Sequence, residues 1–149
     1  MRLLILFAVV AGCFISCNQG SAQKKDYKAV RDEVMEFHDV VMADHGRVVK
    51  NQMILDTMIK SMKELELKFP DVDTIKEKDT ISGLITSLSA AEESMNDWMH
   101  TFEPDVTGKS NEEAISYFQT EKRKITALDS VYKAQIKTSD NYLKKFNKR

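Results

Sequence analysis

Residues 27–69 read YKAVRDEVMEFHDVVMADHGRVVKNQMILDTMIKSMKELELKF. Apolar side chains fall at Tyr27, Val30, Val34, Phe37, Val41, Val48, Leu55, Met58, Met62, Leu65 and Phe69. The steps alternate three and four, with polar gaps at Asp44 and Asn51. That is the period of one helix face, whereas a half-buried strand alternates every two residues. Pro70 ends the pattern. The stretch predicts one long helix over 26–69, with 43–46 as the place where Gly46 allows a kink.

Two further segments repeat the pattern. Thr74 with Glu77 reads as a capping box. It opens a stripe at Ile81, Leu84, Leu88, Ala91, Met95, Trp98 and Phe102, and predicts a helix over 74–102. Pro104 and Gly108 mark a loop. Ser110 with Glu113 forms a second box before Ala114, Phe118, Ile125, Leu128, Tyr132, Tyr142 and Phe146, which predicts a helix over 111–147. Lys144 and Lys145 suit the negative end of that helix dipole.

Short loops make sequential helices antiparallel neighbours. Folding the first pair about Pro70 and Asp71 sets Val48 against Met95, Leu55 against Leu88 and Met62 against Ile81. Folding the second pair about Val106 brings Phe118, Ile125 and Tyr132 into the same layers. Three independent stripes in register predict an all-α, up-down-up three-helix bundle with a long first helix. The alternative is a four-helix bundle broken near Gly46. In the three-helix form Val41 already lies opposite Phe102, so residues 26–40 project ~22 Å beyond the bundle. Their face, Tyr27, Val30, Val34 and Phe37, is then an uncovered docking surface for a partner or a second copy. A fold-back at Gly46 or the loop 103–109 would cover it instead.

The chain begins MRLLILFAVVAGCFISCNQG. The apolar run from Leu3 to Val10 is too short to span a bilayer and follows Arg2, as in a secretory signal. Cys13 and Cys17 are the two cysteines, each preceded by small or apolar residues. The stretch resembles a bacterial lipoprotein signal, with lipid attachment at Cys17 or, alternatively, Cys13. It divides the chain into a signal peptide over 1–17, a flexible polar tether over 18–25 and a single domain over 26–149. No acidic cluster follows Cys17, which favours a protein held in the outer membrane and facing the periplasm.

Composition narrows the function classes. The chain has 149 residues, 22 basic and 23 acidic, for a net charge of -1. A nucleic-acid binder should carry a basic excess, so none is expected here. His-Glu-x-x-His, a phosphate-binding glycine loop and a nucleophile elbow are all missing, so no enzymatic activity and no cofactor are expected. Acidic residues gather near the second loop, and basic residues near the C-terminus. One constellation carries chemistry. His38 and Met42 are helical neighbours, His45 lies one turn further, and Met99 follows Trp98, which the folding sets opposite His45. Imidazole and thioether donors together favour soft metals such as copper in the Cu(I) state. Met is also a common core filler, so this reading ranks second.

The stretch His38-Asp39-Val40-Val41-Met42, with Met95-Asn96-Asp97-Trp98-Met99 and Phe102 downstream, resembles a family of small Bacteroidota lipoproteins often labelled "viral A-type inclusion protein". That family pattern has Pro at position 43 and Met at position 45, where this chain has Ala43 and His45. The resemblance implies an anchored helical protein of the cell envelope and implies no activity. The leading expectation is a non-enzymatic interaction or scaffold role, bound to the membrane through its lipid. The alternative is copper binding by His38, Met42, His45 and Met99.

Overall fold

The computed structural model describes residues 26–147, and within them the chain is all α-helical. Four helices follow one another: α1 Tyr27–Lys60, α2 Met62–Lys68, α3 Thr74–Thr101 and α4 Asn111–Asn147. The three long helices pack on one another in every pairing. Gln52 on α1 reaches Glu92 on α3, while His38 reaches Trp98, so these two helices run antiparallel. Glu33 meets Lys122 and Asn51 meets Ser139, so α1 and α4 run parallel. The expected stripes meet in one core. Val41, Val48, Leu55, Ile81, Leu88, Met95, Phe118, Ile125 and Tyr132 are all buried in it.

The helix count is four where the sequence predicted three, and the break is at Ser61, not at Gly46. The first helix runs unbroken through Gly46, whose α-carbon faces open space. At Ser61 the side-chain hydroxyl and the backbone N–H both bond to the Thr57 carbonyl, at 2.8 and 3.0 Å. The helical path is left at Ser61 itself, whose φ of −112° and ψ of 37° lie outside the α region. The short α2 then turns so that Phe69 meets Phe146 of α4 edge-on, with centroids 5.3 Å apart.

The register also differs from the expected one. Folding a straight hairpin at Pro70 sets Trp98 against His45, but the indole lies 6.1 Å from the His38 ring. Lower on the seam Gln52 still meets Ser89 and Glu92, close to the register of a straight hairpin, so the slip is confined to the end where His38 meets Trp98. Residues 26–40 do not overhang, because the first turns of α4 lie beside the first turns of α1. Tyr27 stacks on Phe118 at 6.2 Å, and its backbone N–H donates to Asn111 Oδ1 at 3.1 Å. Val106, in the loop between α3 and α4, is buried in the same core.

The caps follow local chemistry. Asp26 caps α1 by accepting from the Lys28 N–H. Asp73, and not Thr74, caps α3, accepting from Ile75 and Lys76 at 3.1 Å each. Glu77 is thereby released from its expected box and accepts from the Tyr142 hydroxyl at 2.5 Å. The Ser110 box is as expected. The Ser110 N–H donates to Glu113 Oε2 at 2.8 Å, and the Glu113 N–H donates to Ser110 Oγ at 3.3 Å.

Candidate functional site

The proposed docking stripe is covered. Val30 and Val34 are 1% and 0% exposed, and Tyr27 and Phe37 pack against the same core. The stripe is the upper part of the bundle interior, so it offers no free surface. The cover comes from the register of α4: the expected folding set Phe118 level with Val48, whereas its ring stacks on Tyr27.

His38 and His45 fall on the α1–α3 seam, with Gln52 two turns beyond His45. Gln52 Nε2 donates to Glu92 Oε2 at 2.6 Å and to Ser89 Oγ at 3.2 Å. His45, two turns from Gln52, has its Nδ1 3.7 Å from the other oxygen, Glu92 Oε1. Two turns above it stands His38, with Nδ1 2.9 Å from Asp39 Oδ1 and its ring beside Trp98. Met42 and Met99 are both exposed at 37% and 36%, so neither is a core filler. The four expected ligands are thus divided, with His45 drawn to Glu92 and His38 to Trp98. Among the described residues no group of three His, Cys, Asp or Glu side chains has the arrangement to hold a metal.

Trp98 joins this seam to α4. Its indole N–H donates to Glu121 Oε2 at 2.9 Å, and Lys124 Nζ donates to Glu121 Oε1 at 2.7 Å. Glu121 is buried, and it follows Phe118 by three residues on the apolar stripe. That core spacing was the signal for it in the sequence. Asn51, seen there only as a polar gap, is also buried and donates to Ser139 Oγ and Asp140 Oδ1 at 2.8 and 2.7 Å. Tyr132 is buried nearby. Burial first, and the Glu92 charge second, push its hydroxyl up to about 12.

On the other side of Trp98, between α3 and α4, an open groove of about 340 Å³ is lined by Ser94, Trp98, Thr101, Ala127, Leu128 and Val131. Asp97 and Lys124 flank it. Val131 is 42% exposed although it is β-branched and apolar. Sequence reasoning missed this groove because Ala127 and Val131 lie beside the α4 stripe and not on it. Cys13 and Cys17 lie outside the described residues. No described helix is long and apolar enough to cross a membrane. Comparison with family models, with curated proteins and with solved structures finds no match to this chain.

Proposed function

We propose that this protein is a non-enzymatic helical bundle of the bacterial cell envelope, lipid-anchored through Cys17 and acting through protein contacts in the periplasm. The observation that carries the contact role is the α3–α4 groove, where Leu128, Val131 and the Trp98 edge line an apolar concavity flanked by one acid and one base. Grooves between paired helices are shaped to take an apolar helix face. The rod-like body supports a scaffold reading, since the 37 residues of α4 extend about 55 Å. Anchoring rests on the N-terminal sequence and on its resemblance to small Bacteroidota lipoproteins. A photo-crosslinking residue placed at Val131 in the full-length, membrane-bound protein tests the contact. A discrete adduct from position 131, absent when the probe stands at exposed Lys63, supports it. No adduct from correctly folded protein overturns it.

A second reading is soft-metal binding on the α1–α3 seam. It is favoured by the exposed thioethers of Met42 and Met99 and by His38, whose Nδ1 is held by Asp39.

A further inference from the structure

We infer that the cavity between the turn after α2 and the last turn of α4 binds a zwitterion with an apolar side chain, a hydrophobic α-amino acid. Glu77 takes its ammonium group and Lys145 its carboxylate. The inference is independent of both readings above.

The cavity holds about 320 Å³. Phe69, Pro70, Val72 and Phe146 form its apolar wall, and Glu77, Lys145 and Asp71 its polar part. The chain makes it just past the end of α2, where Pro70 sits in the turn. There Phe69 meets Phe146 edge-on at 5.3 Å, so two rings of the wall are held against one another. A concave, largely apolar surface with a few convergent polar groups is the usual form of a small-molecule site.

Tyr142 arranges the two charges. It is buried, its hydroxyl donates to Glu77 Oε2 at 2.5 Å, and its ring lies 5.0 Å from Lys145 Nζ. One aromatic residue thus holds an acid and a base that line the same cavity. Yet Glu77 and Lys145 form no ion pair with each other or with any other described residue, and Glu77 Oε1 has no donor among them. Each charge is supported by its own helix instead. Glu77 stands in the first turn of α3 and Lys145 in the last turn of α4, where the dipoles favour these signs. A ligand with an ammonium and a carboxylate a few ångströms apart supplies the missing partner to both, through charge-assisted hydrogen bonds.

The ligand class follows from what the cavity lacks. Two carboxylates against one ammonium disfavour a simple anion. A simple amine leaves Lys145 without a counter-charge. The aromatic and proline wall gains only from apolar surface brought against it, which glycine and the charged amino acids do not offer.

Equilibrium dialysis of radiolabelled L-leucine and L-phenylalanine against the full-length protein in lipid nanodiscs tests the site. The expected result is one equivalent of either bound, with a Kd below about 1 mM. N-acetyl-leucine, which lacks the ammonium, and leucinamide, which lacks the carboxylate, should each compete about 10-fold less well than leucine, and glycine should not compete. Glu77→Gln keeps an acceptor for Tyr142, and Lys145→Met keeps the stem over its ring. Each should weaken leucine about 10-fold, whereas Lys144→Met should leave it unchanged. The losses should also match in pairs. Lys145→Met should not weaken leucinamide further, nor Glu77→Gln weaken N-acetyl-leucine, a pattern that a general structural disturbance does not produce. Circular dichroism checks that each variant folds. No binding of either amino acid by the folded wild type overturns the site. So does leucinamide or N-acetyl-leucine competing as well as leucine, or leucine binding that survives both Glu77→Gln and Lys145→Met.

Discussion

The indole N–H of Trp98 on α3 donates to the carboxylate of Glu121 on α4 at 2.9 Å, and both residues are buried. The bond ties together two helices whose other contacts here are apolar. Trp98 also stacks on Phe102 at 4.7 Å, so its orientation is fixed from two directions. Glu121→Ala leaves the indole N–H buried without an acceptor, and the expected loss is about 1–3 kcal/mol in urea unfolding. Glu121→Gln keeps an acceptor and should retain more than half of that stability. Equal losses in the two variants would show that the indole bond is not what Glu121 contributes.

Val34 separates a covered stripe from a docking face. Its side chain is 0% exposed between α1 and α4. Val34→Asp places a carboxylate where it has no solvent, at a cost of several kcal/mol, enough to unfold a domain of ordinary marginal stability. Met35→Asp, one residue away but exposed, should change the melting temperature little. If Val34→Asp remains folded and only alters self-association, α4 does not cover the stripe.

The heptad made the helices, their order and most of the core legible, because apolar periodicity at Val41, Leu55, Leu88 and Ile125 is set by burial alone. It did not make the register legible. Register depended on the backbone departure at Ser61 and on where α4 starts beside α1, and neither is set by an apolar pattern. The same slip moved Trp98 from His45 to His38, so the residue types of the candidate site were found but their grouping was not. The α3–α4 groove is a property of two stripes facing one another, and no single stripe encodes it.

Asn51 and Ser139 make a buried polar contact between α1 and α4 at 2.8 Å. Removing one partner costs the other one bond but not all, since Asn51 also donates to Asp140 and the Ser139 hydroxyl also donates to the Gln135 and Ile136 carbonyls. Ser139→Ala should cost about 1 kcal/mol and Asn51→Ala about 1–3 kcal/mol, the latter because Asp140 also loses a donor. The double variant should cost clearly less than the two losses added together. Additive losses in chemical denaturation would mean that the two side chains act independently.

Gly46 and Gly83 sit inside α1 and α3, and a β-carbon at either meets nothing within 4 Å. Alanine at each should therefore raise stability by about 0.5–1 kcal/mol, through helix propensity and a less flexible unfolded chain. Gly108 is different. Its φ of 88° lies in the left-handed region, so Gly108→Ala should destabilise despite open space around it. Calorimetric melting of the three variants checks the signs. A fall for Gly46→Ala would indicate that the helix needs flexibility at that point.

The Ser110–Glu113 box predicts a pH dependence at the start of α4. The Ser110 backbone N–H, and then its hydroxyl, hold the Glu113 carboxyl below its ordinary value of 4.5. A carboxylate depressed in the folded state contributes stability above its unfolded value, and that contribution is lost as pH falls through the folded value. The window therefore lies below about pH 4.5 and not near neutrality. Because the group is fully exposed, the effect is local fraying of the first turn and leaves the bundle intact. Carboxyl-carbon NMR titration should give Glu113 a midpoint under 4.5 in the wild type. Ser110→Ala removes the hydroxyl but keeps the backbone donor, so the midpoint should return part of the way. Glu113→Gln should abolish the acid-dependent loosening of the Ser110 and Glu113 amides while leaving the Trp98 environment unchanged. A wild-type midpoint at the ordinary value would show that the box is not closed in solution, and helix α4 would then begin without its reciprocal cap.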